Sequence, residues 1–286
     1  MYDYVRAQPS LSYAQPSDPW LTRRCISFLE VLLGRRRIEA IYYELKRRPF
    51  HQTTFFSEAL DAINVNVDMD MRRLLDAPKN GPLVILANHP FGIVDGLILC
   101  NIAAQLRSDF RIMLNAMLCQ DSDLAPHFLP IDFQSNKAAL QNNIQSKKLA
   151  LSALKDNIPL LIFPSGMVST ADKFGFGQSH DGTWTTFAAK LIQQSEATVL
   201  PVYFHGQNSR KFHVASHVAL PLRMAMLMHE ALKKCGDTVR VDLGDPLPWE
   251  TLSRYGSRLS LTQFLYSHVN EELPLRASQS TFAMPM

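Results

Sequence analysis

The spacing of apolar residues divides the chain into two textures. After Trp20, Leu21, Cys25, Phe28, Leu29 and Leu32 follow one another at steps of four, three, one and three. That is one face of a helix, and Gly34 ends it. Ile38, Ile41, Tyr42 and Leu45 then fall at i, i+3, i+4 and i+7 before Pro49, which predicts a second helix. A third helical stretch covers residues 54–63, ahead of the short alternating run "INVNV". From residue 82 the texture changes. The runs "PLVILAN", "DFRIMLN", "IPLLIFP", "ATVLPVYF" and "TVRVDLG" are short and β-rich. They are punctuated by helical patterns over residues 94–106, 136–155, 183–196, 222–234 and 260–273. Strands separated by helices of that length predict an α/β fold, with a mostly parallel or mixed central sheet covered by helices. The expected divisions are a disordered tail over 1–19, an N-terminal basic helical cap over 20–76, an α/β domain over 77–275 and a disordered tail over 276–286.

Composition narrows the class. With 47% hydrophobic and 19% charged residues in 286, the chain can bury a large core, which excludes global disorder. No window reaches the ~18 uncharged apolar residues of a membrane span. The opening residues contain no apolar segment of the secretory kind. The four cysteines are scattered, without C-x-x-C, which predicts buried free thiols rather than disulfides or zinc. The net charge is only +3, yet residues 20–48 hold eight basic side chains against Glu30, Glu39 and Glu44. The positive field is therefore local to the cap.

One stretch asks for chemistry: "LVILANHPFGIVDGLILC", residues 83–100. A buried strand places Asn88 and His89 at its carboxyl end, the edge where open α/β sheets bind ligands. Asp95 falls in the first turn of the following helix, where a carboxylate suits the dipole. Residues six apart on an ideal helix differ by about 120° in direction, so His89 and Asp95 meet only if Pro90-Phe91-Gly92 folds the imidazole back over the helix start. Once met, Asp95 would hold the proton on one ring nitrogen and leave the other as a base. The plainer alternative is a capping aspartate beside a turn histidine.

"NHPFGIVDG", "FPSGMVS" and "VLPVYFHGQNS", in that order, resemble the glycerolipid and lysophospholipid acyltransferase family. The closest form is the bacterial NHPFGxxDG branch that includes the ornithine-lipid acyltransferases, and the resemblance runs over about residues 25–245. It implies that His89 is a general base with Asp95 as its partner. It also implies that Phe163, Pro164, Ser165 and Gly166 shape the acceptor site, with Leu200-Pro201-Val202 at a further motif. Asn88, Gly92 and Asn115 are expected at the substrate pocket, Asn115 equally as a helix cap. The pattern departs from the family in two places that bear on the acceptor. Ser165 stands where the third motif commonly has Glu, and Phe133 aligns with an Arg thought to meet the acceptor phosphate. Arg210 and Arg223 are candidates to replace it.

The implied reaction moves an acyl group from a thioester, on acyl carrier protein or coenzyme A, to a lyso-lipid hydroxyl, with no further cofactor and no metal. The acceptor would be lysophosphatidic acid or, given the two departures, a lyso-aminolipid such as lyso-ornithine lipid. A lipid thioesterase or hydrolase, or a non-catalytic lipid-binding protein, are the alternatives. Ser165 lacks the G-x-S-x-G setting of a nucleophile. His205, His213 and His217 lack acidic or Cys companions for a metal site. Asp181 and Trp184 are expected to cap and pack the following helix. Trp20 with Arg35, Arg36 and Arg37 suggests docking on an anionic membrane, against the bland reading of a solvated helix face. No nucleic-acid-binding motif is present. The expected location is the cytoplasm, peripheral on the inner face of the membrane.

Overall fold

Strand β2, Leu83–Ala87, is buried at every position, and its alternate residues serve two cores. Leu83, Ile85 and Ala87 face one cluster and Val84 and Leu86 the other. That is why an unbroken apolar run, rather than an alternating one, forms this strand. The computed structural model describes residues 5, 9, 12, 14, 19–49, 51, 53–132, 134 and 136–275. The expected tail over 276–286, and most of that over 1–19, lie outside the described residues.

In chain order the elements open with α1 Trp20–Leu32, α2 Arg35–Lys46, α3 Phe55–Ala62, β1 Asn66–Asp68 and α4 Met71–Leu75. After β2 come α5 Ile93–Leu106, β3 Arg111–Asn115, β4 Phe128–Ile131, α6 Lys137–Lys155 and β5 Leu160–Ile162. Next are α7 Phe187–Ser195, β6 Thr198–Phe204, α8 Arg210–Val218, α9 Leu220–Lys233 and β7 Thr238–Leu243. Helices α10 Trp249–Leu252 and α11 Arg258–Ser267 close the chain, the latter running on into a π-helical turn, His268–Glu272. The seven strands lie in the order β1-β7-β6-β2-β5-β3-β4, and only the β6–β7 pair is antiparallel. The mixed α/β fold expected from the sequence is thus the one observed.

Helices α3 and α5 cover one face, with Phe56, Ile98 and Phe110 among its fully buried residues. Helices α6, α7 and α11 cover the other, around Leu154, Ile192 and Leu265. The N-terminal helices pack onto this body through α9, and β1 pairs with β7 at the sheet's edge. Strand β4, the four residues "FLPI", is not among the β-rich runs read from the sequence, and it contains Pro130. Its edge position explains why a residue without an N–H is tolerated there. Helix α8 lies outside the helical patterns read from the sequence, and it carries His213 and His217. Of the cysteines, Cys100 and Cys119 are buried but Cys25 is exposed, so the expectation of buried thiols holds only in part. Among the described residues no helix is long and apolar enough to cross a membrane.

Candidate active site

The carboxyl ends of β2, β5 and β6 meet at one edge of the sheet. There His89 Nδ1 lies 3.1 Å from Asp95 Oδ2. Gly92 makes the meeting possible. Its φ of +91° is a region that favours glycine, and an added Cβ would come within 2.9 Å of Leu227 and 3.2 Å of Val168. Gly92 is the N-cap of α5, so Asp95 sits in the first turn and reaches back. Its Oδ2 also accepts the Phe91 N–H at 2.9 Å. Both readings of Asp95 are therefore satisfied by one oxygen: it stabilises the helix start and holds the imidazole. Asp95 is fully buried and its Oδ1 has no partner, while His89 remains partly exposed.

The imidazole is also held by its surroundings. Its ring stacks on Phe163 with centroids 3.9 Å apart and planes within 20°. The main chain of His89 is gripped at both ends. Its N–H donates to Asp181 Oδ1 at 3.1 Å, and its carbonyl accepts from the Ser169 N–H at 2.7 Å. Asp181 further accepts from the Ser169 hydroxyl and from Trp184 Nε1. Burial pushes the Asp181 carboxyl above its ordinary range, against the pull of those donors. Asp181 was expected to cap the following helix. That helix begins only at Phe187 with Thr186 as its N-cap, so the aspartate serves His89 instead. Its link to His89 is a contact across 92 residues, which local spacing cannot reveal.

The other candidates fall in different places. Asn88 is buried, donating to the Phe204 carbonyl at 3.0 Å and accepting the Phe204 N–H at 2.7 Å, so its amide ties β2 to β6. Asn115 ends β3 and is half-buried. Pro164 is buried, while the Ser165 hydroxyl donates to the Met167 carbonyl at 2.7 Å and Gly166 turns the chain at φ +66°. Arg223 is buried, donates to the Val168 carbonyl and lies over the Phe212 ring, and burial lowers its guanidinium from its ordinary value. It braces the segment behind the site. Arg210 is exposed, stacked on Phe176. Phe133 lies outside the described residues. His205 has an acidic partner after all, Asp242, while His213 and His217 bind the main chain of Ala171. In the cap, Trp20 is exposed, as are Arg36 and Arg37. Arg35 is committed inward to the buried Glu30, at 2.8 Å.

A cavity of about 200 Å³ opens between α2, α3 and the first turns of α5, lined by Ile93, Val94, Leu97, Leu45, Phe55 and Phe56 among others. Helix α5 thus presents Asp95 to the histidine and Ile93, Val94 and Leu97 to an apolar chamber. Tyr42 closes part of it, donating to Asp121, which also binds Lys46 at 3.2 Å.

A parallel-rich α/β sheet thus carries a histidine and a buried carboxylate at the carboxyl ends of its strands, where such sheets bind ligands. Residues 17–269 match the family model described as Acyltransferase, and the chain belongs to the lysophospholipid and glycerolipid acyltransferase family. It is similar to a lyso-glycine lipid O-acyltransferase of Phocaeicola vulgatus, 25% identical over 254 residues that cover 86% of each chain. A protein of the same description from Bacteroides thetaiotaomicron is 25% identical over 243 residues, 82% of this chain and 85% of that one. The fold is similar to the 1-acyl-sn-glycerophosphate acyltransferase PlsC of Thermotoga maritima. There the TM-score is 0.51 at 14% identity, over 92% of this chain and 89% of that one.

Proposed function

We propose that the chain transfers a fatty acyl group from an acyl thioester to the hydroxyl of a lyso-lipid, with His89 as general base. The observation that carries this reading is the His89–Asp95 pair, an imidazole still 16% exposed on a fully buried carboxylate. With Nδ1–H donated to Asp95, Nε2 takes the proton of the acceptor hydroxyl as its oxygen attacks the thioester carbon. Asp95 stabilises the imidazolium that forms. The carbon–sulfur bond then breaks, and the proton on His89 passes to the departing thiolate. The Gly166 N–H is committed to the Phe163 carbonyl at 2.9 Å, so the start of α5 is the better candidate for stabilising the oxyanion. The apolar chamber beside that turn offers room for an acyl chain.

The acceptor is a lyso-aminolipid. Arg223 is spent on the main chain and Arg210 on an aromatic ring, so neither replaces a phosphate-gripping arginine. The two relatives named for lyso-glycine lipid support the same class. Docking on the membrane rests on α1, whose outer face exposes Trp20, Leu21, Phe28 and Leu32, with Arg36 and Arg37 beyond it. The test is a competition between lyso-glycine or lyso-ornithine lipid and lysophosphatidic acid for one acyl thioester. The aminolipid should be acylated preferentially, and a clear preference for lysophosphatidic acid would overturn the acceptor assignment.

A further inference from the structure

Residues 169–181 form an arm that begins and ends on the catalytic histidine. Ser169 and Asp181 grip the two ends of the His89 main chain, and Thr170 and His180 pair as an antiparallel bridge just beyond. The arm's tip, Lys173-Phe174-Gly175-Phe176-Gly177, turns both phenylalanines outward, 60% and 55% exposed. They are not loose. Asp172 accepts the N–H groups of Phe174 and Phe176 at 2.9 and 2.8 Å. Arg210 donates to the Phe174 carbonyl at 3.0 Å and lies 3.6 Å over the Phe176 ring. Gly175, at φ +74°, lets the tip close on α8, since a Cβ there would come within 2.7 Å of Arg210. Rings braced in this way leave most of their apolar area unburied in the free protein.

We infer that this arm is a lipid-surface finger, whose Phe174 and Phe176 insert among the head groups and upper acyl chains of an anionic bilayer. The inference rests on the lyso-lipid reading of the site and adds a membrane contact distinct from α1. Lys173 lies 5.1 Å over the Phe174 ring and Arg210 lies over the Phe176 ring, so each ring carries a cation, which suits anionic head groups. The apolar surface continues along α8 in Val214 and Val218, both exposed. Because the arm's base holds His89, the surface that its tip enters is the one from which a lipid acceptor reaches the base.

The experiment uses the full chain with vesicles of phosphatidylcholine and phosphatidylglycerol. In a Trp20→Phe background, which keeps Trp184 and Trp249, the emission that Phe174→Trp adds should be blue-shifted by the vesicles and quenched by brominated lipid acyl chains. Phe174→Ser and Phe176→Ser should each weaken partition roughly tenfold, the order expected for withdrawing one ring from an apolar phase. Unshifted emission from a vesicle-bound chain, or no binding of the chain to these vesicles, would overturn the finger. So would unchanged partition of the serine variants, including the case in which they raise KM for acyl carrier protein alone. Adding His89→Ala should leave the fluorescence unchanged, so failure of the acyl-transfer reading would be seen separately.

Discussion

Asp181 holds His89 by its main chain, accepting the N–H at 3.1 Å, while Asp95 holds it by its ring at the same distance. Two carboxylates thus fix one histidine, one by its ring and one by its main chain. Only Asp95 touches the ring, so Asp181 is a positioning residue. Asp181→Asn keeps the volume but turns a donor toward one of the three groups that now donate to it. We expect stability to fall by about 1–3 kcal/mol. In addition, kcat should fall roughly tenfold with KM unchanged, because misplacing a reacting group costs rate rather than ground-state binding. Steady-state kinetics alongside urea unfolding distinguish this from a purely structural role, in which kcat per folded molecule would be unaltered.

Gly92 carries the turn on which the pair depends. Gly92→Ala puts a Cβ against Leu227 and Val168 at a backbone conformation that L-residues resist. The cost should be about 1–3 kcal/mol in stability. Acyl transfer should fall beyond what unfolding explains, since Asp95 and His89 flank the strained residue. Denaturant midpoints and activity of the folded fraction check both.

Two buried histidines set the acid limit of stability. His127 is stacked on Phe110, with Nε2 buried and without a partner, and burial lowers its pKa against the Phe110 carbonyl and Asp109. His213 is lowered by burial as well. A folded-state pKa below the unfolded value means that the unfolded chain binds more protons as pH falls through the unfolded value, about 6.5. Stability should therefore be full above that pH and be lost progressively below it. Asp181, whose pKa is raised, acts in the opposite sense, losing stability as pH rises from its unfolded value. Melting temperature against pH should slope down below about pH 6.5, and less steeply for His127→Asn, which retains a donor for the Phe110 carbonyl.

Arg36 and Arg37 are exposed, whereas Arg35 is engaged with Glu30 and Glu39. Arg36→Gln with Arg37→Gln should weaken binding to anionic vesicles by about 1 kcal/mol per charge at low salt. Arg35→Gln should instead lower stability, because it removes the guanidinium that balances the buried Glu30 carboxylate, to which the Ser12 hydroxyl also donates. Vesicle sedimentation across a salt series would show the difference, and binding insensitive to salt would return these residues to an ordinary solvated face.

The strand–turn–helix around His89 was legible because its punctuation is local: an apolar run, then Pro and Gly, then a carboxylate one turn into a helix. The sheet was legible for the same reason, except for β4, a four-residue strand at the sheet's edge that contains Pro130. What the sequence hid is long-range. Asp181 reads as a cap until the chain brings it to His89. Asn88 reads as a pocket residue until its amide meets Phe204. Arg35 reads as one of three equal charges until Glu30 is found buried beneath it. Each depends on a partner that spacing along the chain does not name.

On the proposed mechanism the imidazole of His89 carries the proton of the acceptor hydroxyl. The most direct measurement is kcat for acyl transfer to a lyso-aminolipid by His89→Ala against the unaltered chain, with cooperative unfolding confirmed for both. A general base contributes ~10²–10⁴-fold, so a loss of that size at an unchanged unfolding midpoint is the predicted result. Activity within a few-fold of the unaltered enzyme would contradict the account.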